Sequence, residues 1–312
     1  MAPNDVSRVA LPFTIGRRTL ASVHRKLVRV PVPLAAALSG EPIDLPALDA
    51  GADGFYVRAL PDDQVAALVR RSGLRAVVRQ SYPRHYADLA LGFDRYLAGF
   101  SAKSRSGLKR KLRRLEERSG GALDIRCYRR SDAMAAFHRH ARQVSALTYQ
   151  ERLLDAGLPD DLLPELEALA KDDRVRAWLL FMDGRPVSYL HAPGEGDTLR
   201  YAHLGYDPAF ADLSVGSLLQ LEAMRMLMAE GRFRWFDFTE GDGQHKRQFA
   251  TGAVASVDLL LLRPGFGNCA AVAALNGFDA AVGLAKTIRN RGLGLQRGSA
   301  ARNRSRHRAL TS

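Results

Sequence analysis

Two cysteines, Cys127 and Cys269, in 312 residues are too few for a disulfide framework and give no zinc-ligand spacing. A reducing compartment is expected. Long apolar runs are also missing. Residues 269–285 are interrupted by Asn276, Gly277 and Asp279, which makes the stretch too short and too polar to span a bilayer. No apolar run follows the early basic residues, so no signal peptide is expected. Between Ser101 and Gly120, the most basic part of the chain, there is no aromatic residue. Nucleic-acid binding there would want rings for bases to stack on, which counts against it. No 20–50-residue repeat is found.

What is present is enough for a core: 46% of the residues are hydrophobic. The net charge of +13 is unevenly spread. Residues 101–120 carry eight Lys/Arg against Glu116 and Glu117, and residues 263–312 carry nine against Asp279. The rest is close to neutral, so one helix and one tail hold the excess. The basic stretch is read either as a solvated face or as an attractor of anionic partners such as an anionic polymer, RNA or an acidic membrane.

Strand-like runs start at Val28, Gly54 and Leu74, with a short helix over residues 62–71 and a loop at Pro83. Residues 93–118 read as one or two helices. Ser101 is a candidate cap, Leu108, Leu112 and Leu115 form an apolar stripe, and Gly120-Gly121 is the stop. A strand at 123–128, a helix at 132–148 and a helix at 164–171 follow. Three strands then form a meander: 175–182, the Asp183-Gly184 turn, 185–192, a second turn, and 198–205. Ser214 opens a helix that runs to Glu230 and is ended by Gly231, and strands at 233–238 and 253–262 close the pattern. This order is α+β, with a mainly antiparallel mixed sheet flanked by helices. Three regions are expected: residues 1–92, 93–265 and 266–312, the last a helix and a basic, disordered tail.

Leu213-Ser-Val-Gly-Ser-Leu-Leu219 begins a helix directly after a strand and its loop. Unpaired amides with a glycine among them suit a pyrophosphate; equally, Ser214 only caps and Gly216 only packs. The segment 237–249 (Asp-Phe-Thr-Glu-Gly-Asp-Gly-Gln-His-Lys-Arg-Gln-Phe) is the most reactive-looking stretch, because it crowds acids, glycines, a histidine and a lysine into one loop after an aromatic strand.

Taken in order, residues 199–208 of the meander, the Ser-Val-Gly-Ser helix start, the 237–249 loop and the basic helix at 100–116 resemble the GNAT acyltransferase superfamily. The combination is similar to the branch of CelD-like polysaccharide-biosynthesis acyltransferases related to Fem-type aminoacyltransferases, over roughly residues 85–262. The resemblance implies a GNAT-like fold, with residues 1–92 a reduced second half of the same fold. It implies acetyl-CoA or another acyl-CoA as co-substrate, held between strands 198–205 and 233–238. The pyrophosphate would lie on the amides around Val215, Gly216 and Ser217, and His203 and Leu204 would line the donor side. The phosphate loop has less glycine than the family's usual one and lacks its preceding Arg or Gln. The family's usual Tyr before the loop lysine is His245 here.

Acyl transfer needs a base, an oxyanion stabiliser and an acid for the leaving thiolate. Glu240, Asp242 and Asp237 are candidate bases; Asp237 is equally a group that bonds loop amides. His245 is a candidate acid or base. Lys246 is a candidate for stabilising the acyl carbonyl, which the Fem-type resemblance favours, or for binding an acidic substrate, unless it is a plain surface charge. His191 and His203 read as satisfied histidines, and Tyr201 and Tyr206 as packing residues that can also protonate a thiolate. No metal is expected.

The expected activity is acyl-CoA-dependent N- or O-acyl transfer, acetyl transfer first, to a sugar or polysaccharide precursor or a small amine. The alternatives are a Fem-like enzyme using aminoacyl-tRNA, the one case for nucleic acid, and a non-catalytic membrane-associated scaffold. A cytoplasmic protein is expected, peripheral at the inner membrane face through its basic tail.

Overall fold

The computed structural model describes residues 6–15, 18–148, 157–278 and 280–282. In chain order the elements are β1 (Val6–Ile15), β2 (Arg18–Pro31), α1 (Leu34–Ser39), β3 (Gly54–Pro61), α2 (Val65–Ser72), β4 (Arg75–Asp88), α3 (Phe93–Ala98) and α4 (Ala102–Arg118). Next come β5 (Asp124–Tyr128), α5 (Met134–Ser145), α6 (Leu163–Lys171), β6 (Val175–Met182), β7 (Arg185–Glu195), β8 (Thr198–Arg200) and β9 (His203–Tyr206). The last are α7 (Val215–Glu230), β10 (Trp235–Asp237), α8 (Gln244–Phe249) and β11 (Gly252–Leu262). The mixed α+β class and the mainly antiparallel pairing expected from the sequence are present.

The chain forms two compact units, one of residues 1–32, 42–81 and 257–312, the other of residues 33–41 and 82–256. Neither is a continuous stretch. The first takes residues 75–81 of β4 and 257–262 of β11, and the second takes the remainder of both strands. The division therefore differs from breaks at 92 and 265. A boundary in mid-strand leaves no loop composition to read. The strand β4 also runs through Pro83, where a loop was expected. The basic tail beyond 297 lies outside the described residues.

In the first unit, β1 and β2 form an antiparallel pair, β2 and β3 run parallel, and the order continues to β11 and β4. Val9, Leu11, Leu27, Val77, Leu260, Leu262 and Leu275 close its core. Gly54 is required there, because a Cβ would lie 1.9 Å from the Leu261 carbonyl oxygen.

In the second unit the strand order is β4-β10-β8-β7-β6-β5, with β9 also on β7. The β6–β7 hairpin turns at Asp183-Gly184, both with positive φ (52° and 72°), as the Asp-Gly signal requires. Every residue of β6 is buried, which explains its apolar run from Ala177 to Met182; the buried Arg176 is paired with Glu230. Two clusters result. One joins Trp178, Leu180 and Leu190 to Leu218, Leu219 and Met224 of α7 and to Leu108 and Leu115 of α4. The other packs Met134, Phe137, Ala141 and Val144 of α5 with Leu166 of α6 and Leu179, Phe181 and Tyr189. On α4, Ser101 caps as expected: its Oγ accepts from the Ser104 N–H at 3.1 Å. Among the described residues no helix is long and apolar enough to cross a membrane.

Candidate active site

The third strand of the meander is not one strand. β8 pairs with β7 in the register Gly194↔Leu199, whereas β9 pairs with β7 as His191↔His203, one residue out of step. The extra residue is a bulge at Tyr201-Ala202. Bulges bend a strand and end its pairing. Before the bulge, β8 runs parallel to β10, with Thr198 opposite Trp235 and Arg200 opposite Asp237. The Tyr201 N–H still donates to the Asp237 carbonyl at 2.8 Å. Beyond it β9 pairs only with β7 among the described strands. The sheet thus opens between β9 and the chain leaving β10, the two strands expected to part.

One wall of this opening is β9 and the start of α7. Leu204 lies against Gly216: a Cβ on Gly216 would sit 3.2 Å from Leu204 Cδ2 and 3.2 Å from Tyr206 Cδ1. Ser214 holds the cap position, but in the left-handed region (φ 56°), and its side chain accepts no helix amide. This corrects the expectation of a serine cap. The first-turn amides of α7, those of Val215, Gly216 and Ser217, are left without a side-chain cap, and such amides have no intrahelical acceptor. The side chain of His203 is engaged within its own wall. Its ring stacks on His191 (5.6 Å, 6° between planes), with the two Nδ1 atoms 3.3 Å apart. Burial lowers the pKa of both, that of His191 to about 3.

The opposite wall is the segment after β10, which ends in a helix, α8, where only a loop was expected. Asp237 is buried and held by the equally buried Arg84 of β4, Nη2 to Oδ2 at 2.6 Å. Its other oxygen accepts the Thr239 N–H at 2.8 Å. A carboxylate with these partners is a brace, the amide-bonding role among its two readings. Next to it on β4, the His85 carbonyl accepts the Phe238 N–H at 3.0 Å, and His85 Nε2 meets Asp242 Oδ1 at 3.1 Å. Asp242 also receives Arg247. The hydrogen bond from His85, then Arg247, holds the Asp242 carboxyl below its usual range, so it is a weak base. Thr239 and Gly241 take positive φ (63° and 91°), turning the chain so that Lys246 Nζ donates to the Glu240 carbonyl. The Glu240 side chain is exposed. Burial draws the Lys246 pKa down against the pull of Glu240 and Asp237.

His245 differs from these neighbours. Its Nε2 is buried without a hydrogen-bond partner, and its ring lies 4.9 Å from Phe249 and 6.1 Å from Tyr201, at the bulge. Burial, then Lys246, lowers its pKa to about 4, so it is neutral at pH 7. The structure thus brings His245 to the bulge, ties Asp237 and Asp242 to β4, and places Leu204 beside Gly216. Arg84 and His85 were not among the expected site residues. They lie 153 and 157 residues from their partners in sequence, in a stretch after Pro83 where a loop was expected. Among the described residues no group of three or more His, Cys, Asp or Glu can hold a metal ion.

A family profile described as "Acetyltransferase (GNAT) domain" matches residues 102–247. No curated protein matches the chain. Among solved structures, FemX is 12% identical with a TM-score of 0.53, over 82% of this chain and 88% of that one. The C-terminal domain of a putative lysylphosphatidylglycerol synthetase from Agrobacterium fabrum is 14% identical with a TM-score of 0.50, over 75% and 73%. A conserved protein of unknown function from Bacteroides thetaiotaomicron is 10% identical with a TM-score of 0.51, over 67% and 70%. At these identities the likeness is one of fold. Residues 102–247 thus match the GNAT acetyltransferase domain profile, and the fold of the chain is similar to that of FemX.

Proposed function

We propose that the second unit transfers an acyl group, acetyl in the first instance, from acyl-CoA to an amine or hydroxyl of an acceptor. The observation that carries this reading is the opening at Tyr201-Ala202, with the uncapped start of α7 on one side and neutral His245 on the other. The donor fits the first wall. Three amides at a helix start suit its pyrophosphate, and the absent side chain at Gly216 lets Leu204 and Tyr206 of β9 pack close against that start. Main-chain groups of His203 and Leu204 are the natural partners of the donor's amide-bearing arm.

On the second wall His245 accepts the proton of the attacking nitrogen or oxygen. Its neutral state at pH 7 is what a base needs, and its buried Nε2 is unsatisfied until a substrate arrives. Lys246 faces the acyl carbonyl as the oxyanion's cation. Glu240, exposed at the turn, receives the proton from His245 or orients the acceptor. Asp242 and Asp237 position the segment, through His85 and Arg84. Tyr201, whose hydroxyl burial keeps protonated, is placed to return a proton to the thiolate. For the acceptor, a sugar or polysaccharide precursor or a small amine remains the reading.

A thiol-release assay with acetyl-CoA and a panel of amino sugars and amines tests this. Turnover should fall at least about 100-fold in His245→Gln. Equal turnover in His245→Gln, Lys246→Ala and the unaltered protein would remove both residues from the chemistry.

A further inference from the structure

The exposed face of α4 is charged beyond anything the fold needs. Leu108 and Leu115 are buried and Leu112 is packed against the core that also holds Val215 and Leu218 of α7, so the helix is docked by its apolar stripe. Arg114 Nη2 reaches Asp212 Oδ2 at 2.8 Å, in the turn of 3-10 helix, Pro208–Leu213, that leads into α7. Helical spacing sets Arg110 and Lys111 one turn before Arg114 and Arg118 one turn after, on the same face. Arg110 to Arg118 spans about 12 Å. All three are exposed and have no hydrogen bond or ion pair among the described residues.

Several exposed arginines elsewhere pair with a carboxylate, Arg126 with Asp124, Arg130 with Asp132 and Arg234 with Asp88, while others such as Arg29, Arg70 and Arg95 stand alone and scattered among the described residues. On α4 like charges stand four apart, an arrangement that destabilises a helix. Such a cost without an internal partner points to an anion from outside, beside the start of α7. Resting on the acyl-CoA reading above, we infer that Arg110, Lys111, Arg114 and Arg118 bind the 3′-phosphate of the donor's nucleotide. The pyrophosphate occupies the α7 amides, and the ribose phosphate beyond it meets the α4 face. The aromatic-free sequence from Ser101 to Gly120 suits an isolated phosphate rather than stacked bases of single-stranded RNA.

The test is calorimetric titration of the full chain with CoA and with 3′-dephospho-CoA. The unaltered protein should bind CoA at least about tenfold more tightly, as expected of a charge-assisted phosphate contact. In Arg110→Gln/Arg118→Gln the preference should vanish while affinity for dephospho-CoA stays the same. A control removing equal charge from other faces of α4, Lys109→Gln/Arg113→Gln, should keep the preference. Thermal melts of both variants should match or exceed the unaltered protein, since repulsion has been relieved.

Tight binding of both forms without preference overturns the inference and leaves the acyl-CoA reading standing. Equal loss in the control overturns it in favour of diffuse attraction. Failure to bind either form overturns both readings; salt-sensitive retention of tRNA would then mark α4 as an RNA surface.

Discussion

On the β9 side of the opening, backbone groups are left for something else to satisfy: the strand breaks pairing at a bulge, and α7 starts without a side-chain cap. On the Asp237–Phe249 side the charges are tied. Arg84 holds Asp237, His85 and Arg247 hold Asp242, and Lys246 reaches back to the Glu240 carbonyl. The difference shows how a cleft can be both open and ordered. One wall offers amides to a polyanion, while the other fixes a reactive segment so that one buried imidazole nitrogen stays unpaired. A binding surface needs unsatisfied groups, whereas a catalytic segment needs its supporting groups satisfied.

The largest effect should come from the braced wall. Arg84→Met leaves the buried Asp237 unpaired and should cost about 3–5 kcal/mol in urea unfolding. Arg84→Met/Asp237→Leu should recover much of that loss, since no lone charge remains. A single variant as stable as the unaltered protein would mean that the brace is not needed.

Next is the imidazole. His245→Gln should lower kcat by about 100-fold or more, and should abolish an acid limb of kcat/KM with a midpoint near pH 4. An unchanged pH profile would assign the limb to another group.

On the open wall, Gly216→Val places carbon where Leu204 and Tyr206 already stand 3.2 Å from a Cβ. It should cost about 1–3 kcal/mol of stability and raise KM for acyl-CoA far more than it lowers kcat. A kcat effect alone would move the donor away from α7.

A smaller effect concerns acid. Both His191, at about 3, and His245, at about 4, have pKa values below the ordinary 6.5. Between the depressed and ordinary values the unfolded chain binds more protons, so stability should fall as pH drops from about 6.5 toward 4. Melting curves at pH 7 and pH 5 should show this, and the drop should be shallower in His191→Phe. The smallest effect is expected at Arg114→Gln, whose exposed bridge to Asp212 is worth under about 1 kcal/mol.

Much of the second unit was legible because its signals are local. Asp183-Gly184 set the hairpin, Ser101 and Gly120 bounded α4, and Gly231 stopped α7 in the left-handed region (φ 66°). The order of elements pointed to strands 198–205 and 233–238, and the sheet opens between β9 and the chain leaving β10. What stayed hidden depends on distant partners. The bulge at Tyr201-Ala202 appears only in the register against β7, and nothing in its composition separates it from a plain strand. Ser214 has the composition of a cap, but its αL backbone gives its side chain a different direction. Arg84 and His85 lie in a strand whose importance comes from what reaches it from the 237–242 segment.

The most direct test of the central claim is amide chemical-shift mapping on titration with acetyl-CoA. The amides of Val215, Gly216 and Ser217 should move most, followed by Leu204, with saturation at one equivalent. Saturable binding that leaves those amides unmoved, or the absence of any binding at millimolar acetyl-CoA, would contradict the assignment of this opening as an acyl-CoA site.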